Sequence, residues 1–118
     1  MSKITIYQKP TCTTCQKVYS ALKEAGVDFQ EVNYYTEPLS KSKIKNLLSK
    51  MNIAAGDLLR TREAIYKDLG LPDKKYSQEE LIDLMANHPD LIQRPIIEKG
   101  SQAILARPAE RVSEILSG

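Results

Sequence analysis

Tryptophan is missing from this sequence, which has one phenylalanine, one histidine and two cysteines. Each shortage closes a route. Cys12 and Cys15 are too close to staple a small fold, because so short a loop constrains the unfolded chain very little. Two thiols also fall short of a four-ligand zinc site, and His88 lies far along the chain. The aromatic side chains are scattered, with Tyr34-Tyr35 the one adjacent pair, so no platform for stacking bases is encoded. No apolar run approaches the roughly 18 residues of a membrane span, and no basic-then-apolar leader is present. The expectation is a cytoplasmic chain that neither enters a membrane nor is exported. Charge of one sign is lacking too: 17 basic residues against 15 acidic give a net charge of +2, spread evenly with no basic arm or tail. That balance gives no reason to expect nucleic acid as a partner.

What remains is a soluble composition, 42% hydrophobic and 27% charged over 118 residues. That length predicts a single domain, 1–118, with a sizeable core. Residues 3–7 alternate apolar and polar and read as a strand, closed by Gln8-Lys9-Pro10. Val18, Leu22 and Ala25 then share a helical face, with Gly26 at the expected C-cap. Phe29 to Tyr34 is β-branched and aromatic enough for a second strand, and a βαβ unit of this kind makes the two strands parallel. The period changes from about residue 37 to 93. Ser40 is a plausible N-cap for Ile44, Leu47, Leu48 and Met51; Leu58, Leu59, Ile65 and Leu69 continue the helical character. Ser77-Gln78-Glu79-Glu80 fits a capping box. Pro95-Ile96-Ile97, a turn at Lys99-Gly100-Ser101, and Ala103-Ile104-Leu105 predict a hairpin. Pro108 suits the first turn of a last helix carrying Val112, Ile115 and Leu116. The order predicts an α/β fold: a thioredoxin-like core, βαβ then ββα, with an inserted all-helical module.

The chemistry centres on Cys12-Thr13-Thr14-Cys15, a C-x-x-C at a strand-to-helix join. The positive end of a helix dipole and its free backbone N–H groups stabilise a thiolate and can cradle a tetrahedral anion. In a βαβ context this motif reads as redox-active, and reduced thiols suit the cytosol. The competing reading is a pair of buried thiols serving as small core residues. Cys12, nearer the helix start, is the expected nucleophile; Cys15, one turn in, is a possible redox partner or a core side chain. Arg60, Arg94 and Arg107 stand out by placement, and guanidinium groups grip oxyanions through paired hydrogen bonds. Taken singly, each is better explained by a surface salt bridge, and Arg62 and Arg111 carry as much local signal. Pro95 is a candidate for a cis peptide bond, although about one X-Pro bond in twenty is cis. His88, before Pro89, reads as a capping or packing residue.

Ile6-Tyr7, Pro10 and Cys12 are followed by Leu58-Leu59-Arg60-Thr61-Arg62-Glu63, Tyr66-Lys67-Asp68-Leu69-Gly70-Leu71 and Leu81-Ile82-Asp83. His88-Pro89, Arg94-Pro95-Ile96 and Arg107-Pro108 complete the series. Together these resemble the arsenate reductase ArsC/Spx/YffB family, in order and over residues 4 to 116. Within that family the chain is most similar to the glutaredoxin-coupled arsenate reductases. The resemblance implies that Cys12 attacks arsenate and that Arg60, Arg94 and Arg107 hold the oxyanion. It also implies glutathione as co-substrate with glutaredoxin or thioredoxin completing reduction, and no resident cofactor or metal. Two positions depart from the reductase pattern: Gln8 stands where histidine is frequent, and Cys15 where cysteine is unusual. A C-x-x-C is shared with the Spx-type regulators. The alternative implied is therefore a Cys12–Cys15 redox switch that binds the RNA polymerase α-subunit.

Overall fold

The computed structural model describes residues 4–9, 13–60, 64–70, 76–107 and 109–116. The chain divides into two compact units, Met1–Glu37 with Arg94–Gly118, and Pro38–Gln93.

The first unit is built on a four-stranded sheet of order β2-β1-β3-β4, formed by β1 (Ile4–Gln8), β2 (Phe29–Asn33), β3 (Ile96–Lys99) and β4 (Gln102–Leu105). β1 runs parallel to β2 and antiparallel to β3, and β3 pairs antiparallel with β4. Helix α1 (Thr13–Glu24) links the two parallel strands. Its buried residues Cys15, Val18 and Leu22 are spaced by three and four, which puts them on one face. Val18 and Leu22 meet Ile4, Ile6 and Ile97 from the sheet, and Val112 and Ile115 close the same cluster. The last two follow a 3-10 turn, Ala109–Arg111, and lie on a final helix (Val112–Leu116). Pro108, expected in the first turn of that helix, lies outside the described residues. Gly26 ends α1 at φ +71°, the left-handed conformation a Cβ would strain, as its C-cap position predicts.

All five residues of β1 are buried, although their apolar–polar alternation is that of a strand with one wet face. The polar members find partners instead. Gln30 donates to the Thr5 hydroxyl at 3.1 Å, and the Tyr7 hydroxyl donates to Glu98 at 2.6 Å. Buried polar groups are tolerated when hydrogen-bonded in this way. The hairpin turn passes through Gly100 at φ +60°, and the Arg94-Pro95 peptide bond is cis.

The second unit is helical. Its longest helices, α2 (Lys41–Met51) and, further on, a helix at Gln78–Asn87, both begin as their caps dictate. The Ser40 hydroxyl accepts from the Lys43 N–H at 3.0 Å. Ser77 and Glu80 satisfy each other's backbone N–H groups at 3.0 and 3.2 Å, a capping box. Between them lie two short helices, α3 (Ala55–Leu58) and α4 (Ala64–Asp68); Gln78–Asn87 is then α5, leaving α6 for Val112–Leu116. His88 is the C-cap of α5, its N–H bonded to the Leu84 carbonyl at 2.8 Å.

One stretch departs from the sequence expectation. Leu59 does not continue a helical face; it is extended (φ −70°, ψ 138°) and bridges Ile92 in antiparallel fashion. The Gln93 N–H bonds to Leu58 O at 2.9 Å and the Arg60 N–H to Leu91 O at 2.7 Å. Leu59 and Ile92 are both buried. A short apolar run serves a bridge as well as a helix, and periodicity cannot separate them.

Candidate functional site

The carboxyl end of β1 is where the strand hands over to the cysteine segment. Cys12, the expected nucleophile, lies outside the described residues, as do Pro10 and Thr11. Cys15 is described: its side chain is 0% exposed, on the inner face of α1. Its burial gives the core-residue reading of this position its physical basis.

Arg94 and Arg107 are brought together. Pairing between β3 and β4 continues past Ile96–Leu105, with the Ala106 N–H bonded to Pro95 O at 2.9 Å. One step further, Arg107 Nη1 donates to the Arg94 carbonyl at 2.9 Å. The Arg107 side chain is exposed, whereas Arg94 is 8% exposed. Arg60 belongs to the helical unit, where it is half-buried at the end of the Leu59–Ile92 bridge.

The surroundings of Arg94 leave no signal in the sequence. Arg94 Nη1 donates to the Tyr35 hydroxyl at 3.1 Å, and its guanidinium carbon lies 5.7 Å from the centre of the Tyr35 ring. Tyr34, fully buried, packs against Tyr35 with ring centres 5.1 Å apart. Burial pushes the Tyr34 phenol well above its ordinary pKa, while the Arg94 guanidinium, which hydrogen-bonds to it, pulls the other way. Both tyrosine hydroxyls thus accept from the guanidinium. They fix the orientation of the guanidinium without cancelling its charge, as a group that binds an anion requires. The adjacent tyrosine pair was visible in the sequence, but its spacing carries no signal that it faces an arginine sixty residues away. On the neighbouring strand end, the buried Gln8 side chain donates to the Glu31 carboxylate. Gln8 is therefore tied into the β1–β2 pairing.

A parallel βαβ unit followed by a β-hairpin and a helix, with a C-x-x-C sequence at the first strand-to-helix join, is a thioredoxin-like fold. Comparison with known proteins is more specific. Residues 7–115 match the ArsC family, and the chain belongs to it. An arsenate reductase of Escherichia coli K12 is 36% identical over 116 residues, covering 98% of this chain and 82% of that protein. An uncharacterised protein of the same strain, YfgD, is 35% identical over 115 residues, covering 97% of each. The solved structure of an arsenate reductase from Vibrio cholerae superposes with a TM-score of 0.92 at 32% identity, over 97% of this chain and 98% of that one. The protein is thus arsenate reductase-like. No described helix is long and apolar enough to cross a membrane.

Proposed function

We propose that this chain reduces arsenate to arsenite through the Cys12 thiolate, with Arg60, Arg94 and Arg107 holding the oxyanion. The observation that carries the reading is the hydrogen bond of 2.9 Å that joins Arg107 to the Arg94 carbonyl, with Arg94 oriented by the Tyr34 and Tyr35 hydroxyls, in a chain whose relatives include arsenate reductases. In the first step the thiolate attacks arsenic and a hydroxide leaves, protonated as water, giving a thiol–arsenate ester. The guanidinium groups offset the charge of oxyanion and adduct. Arsenic(V) needs two electrons, and two thiols supply them. Glutathione attacks, arsenite departs, and a Cys12–glutathione mixed disulfide remains for glutaredoxin to reduce. The complete burial of Cys15 supports glutathione, rather than Cys15, as the second thiol.

The test is arsenite production from arsenate by the pure protein with glutathione and glutaredoxin, beside the Cys12→Ser variant. Turnover that disappears in the variant is the expected result. Equal turnover in both would remove Cys12 from the mechanism. No turnover in either would sink the enzyme reading and turn attention to a thiol switch, tested by binding to the RNA polymerase α-subunit.

A further inference from the structure

We propose that Lys9 is a further anion-binding residue of this site and that Tyr35 is the positioning residue that holds Lys9 and Arg94 side by side; this rests on Arg94 being an oxyanion ligand. Counting on two positions from the Tyr7–Ile96 pairing brings Lys9 opposite Arg94. Counting on two from Ile96–Leu105 brings Arg94 opposite Arg107. Three cations therefore occupy one row across the end of the sheet. The Lys9 ammonium lies 4.6 Å from the centre of the Tyr35 ring, the same ring that Arg94 approaches to 5.7 Å.

Like charges gathered in this way repel one another, and the repulsion grows as water is removed. The negative face of the ring offsets part of it. Among the described residues, no carboxylate forms an ion pair with Lys9 or Arg107. A bound dianion would supply the missing countercharge. Lys9 is also placed for such a role along the chain. Cys12 follows it by three residues, a covalent span of at most about 11 Å between Cα atoms. The two kinds of cation have different duties. Arginine fixes direction through its planar fork; lysine adds a mobile point charge that favours a tetrahedral dianion over a singly charged anion.

The experiment uses the full chain and two readouts. Sulfate, a tetrahedral dianion that no thiol reduces here, is titrated calorimetrically into wild type, Lys9→Gln, Lys9→Arg, Tyr35→Phe, Tyr35→Leu and Arg94→Lys. Arsenate KM and kcat are measured on the same set. Lys9→Gln is expected to weaken sulfate binding about tenfold and to raise KM far more than it lowers kcat, the loss of one charge-assisted contact. Lys9→Arg should restore most of the affinity. Tyr35→Leu should weaken binding as Lys9→Gln does, and Tyr35→Phe, which keeps the ring, should do so less. If Arg94→Lys weakens binding while Lys9→Gln does not, the proposal is overturned and the oxyanion site stands. If neither variant alters binding, both the proposal and the reading beneath it fail.

Discussion

Replacing Tyr7 by phenylalanine removes one oxygen atom from the middle of the sheet and nothing else. Tyr7 is 5% exposed and Glu98 9%, on adjacent strands, with donor and acceptor 2.6 Å apart. Because the ring stays, the cavity is smaller than a methyl group and its cost is minor. What is lost is a hydrogen bond to a buried carboxylate. Such bonds contribute about 1.5–3 kcal/mol, and Glu98 loses a donor in a place water does not readily reach. The expected loss is therefore about 2 kcal/mol at neutral pH, roughly thirtyfold in the folding equilibrium. Urea unfolding followed by far-ultraviolet circular dichroism measures it.

The pH dependence gives an independent check. Burial first, then the hydrogen bond to Glu98 and its charge, push the Tyr7 pKa above its ordinary 10.0. A raised pKa in the folded state means that folding favours the neutral phenol. The stabilisation is complete below pH 10.0 and is lost as pH rises from there through the folded value. Wild type should lose stability on this alkaline limb, and Tyr7→Phe should lose less, with the buried Tyr34 still contributing to the fall. Combining Tyr7→Phe with Glu98→Gln completes a double-mutant cycle; a coupling near 2 kcal/mol is expected. A cost below about 0.5 kcal/mol, or identical alkaline limbs, would refute the reasoning.

Four further outcomes are expected. Arg94→Lys keeps the charge but loses the fork that meets Tyr35, so oxyanion affinity should fall about tenfold, read by sulfate titration. Cys15→Ala should retain arsenate turnover with glutathione and glutaredoxin while lowering stability, because the 0% exposed side chain lies on the buried face of α1; loss of turnover would make Cys15 the second thiol. Ser77→Ala should cost about 1 kcal/mol through the α5 cap. Glu80, whose carboxyl the Ser77 backbone and side-chain bonds hold below its ordinary value, stabilises above pH 4.5 and loses that effect as pH falls. Glu80→Gln should therefore flatten the acid limb of the unfolding curve.

Local signals in the sequence located most elements to within a residue or two, because a cap or a turn residue is a local event. Ser40, Ser77, Gly26 and Gly100 each do in the structure what their chemistry dictates. The failures are long-range. Leu59 has the spacing of a helical residue and takes a β-bridge, since Ile92, thirty-three residues on, decides the matter. Tyr7 and Glu98 read as ordinary polar alternation on strands, yet they pair across ninety-one residues. At the candidate site the arginines were visible, because few side chains suit an oxyanion. The tyrosines that orient Arg94 were not. A phenol beside a guanidinium leaves no trace in either segment's own pattern.

The topology accounts for the gathering of these side chains. β1 and β2 are parallel, so both finish at the same edge of the sheet, and Lys9 and the Tyr34-Tyr35 pair follow directly. β3 is antiparallel to β1 and begins at that edge, with Arg94 before it; β4, antiparallel to β3, ends there, followed by Arg107. Four segments distant in sequence thus deliver residues one or two positions beyond the strands to one end of the sheet. The arrangement depends on register as much as on residue type. With Ile97 held in register by β1, a slip of β4 by one position would turn Ile104 from the core cluster to the opposite face and uncouple Arg107 from Arg94 at once. The packing of those isoleucines against Val18 and Leu22 therefore fixes the row of cations as firmly as any contact among the cations themselves.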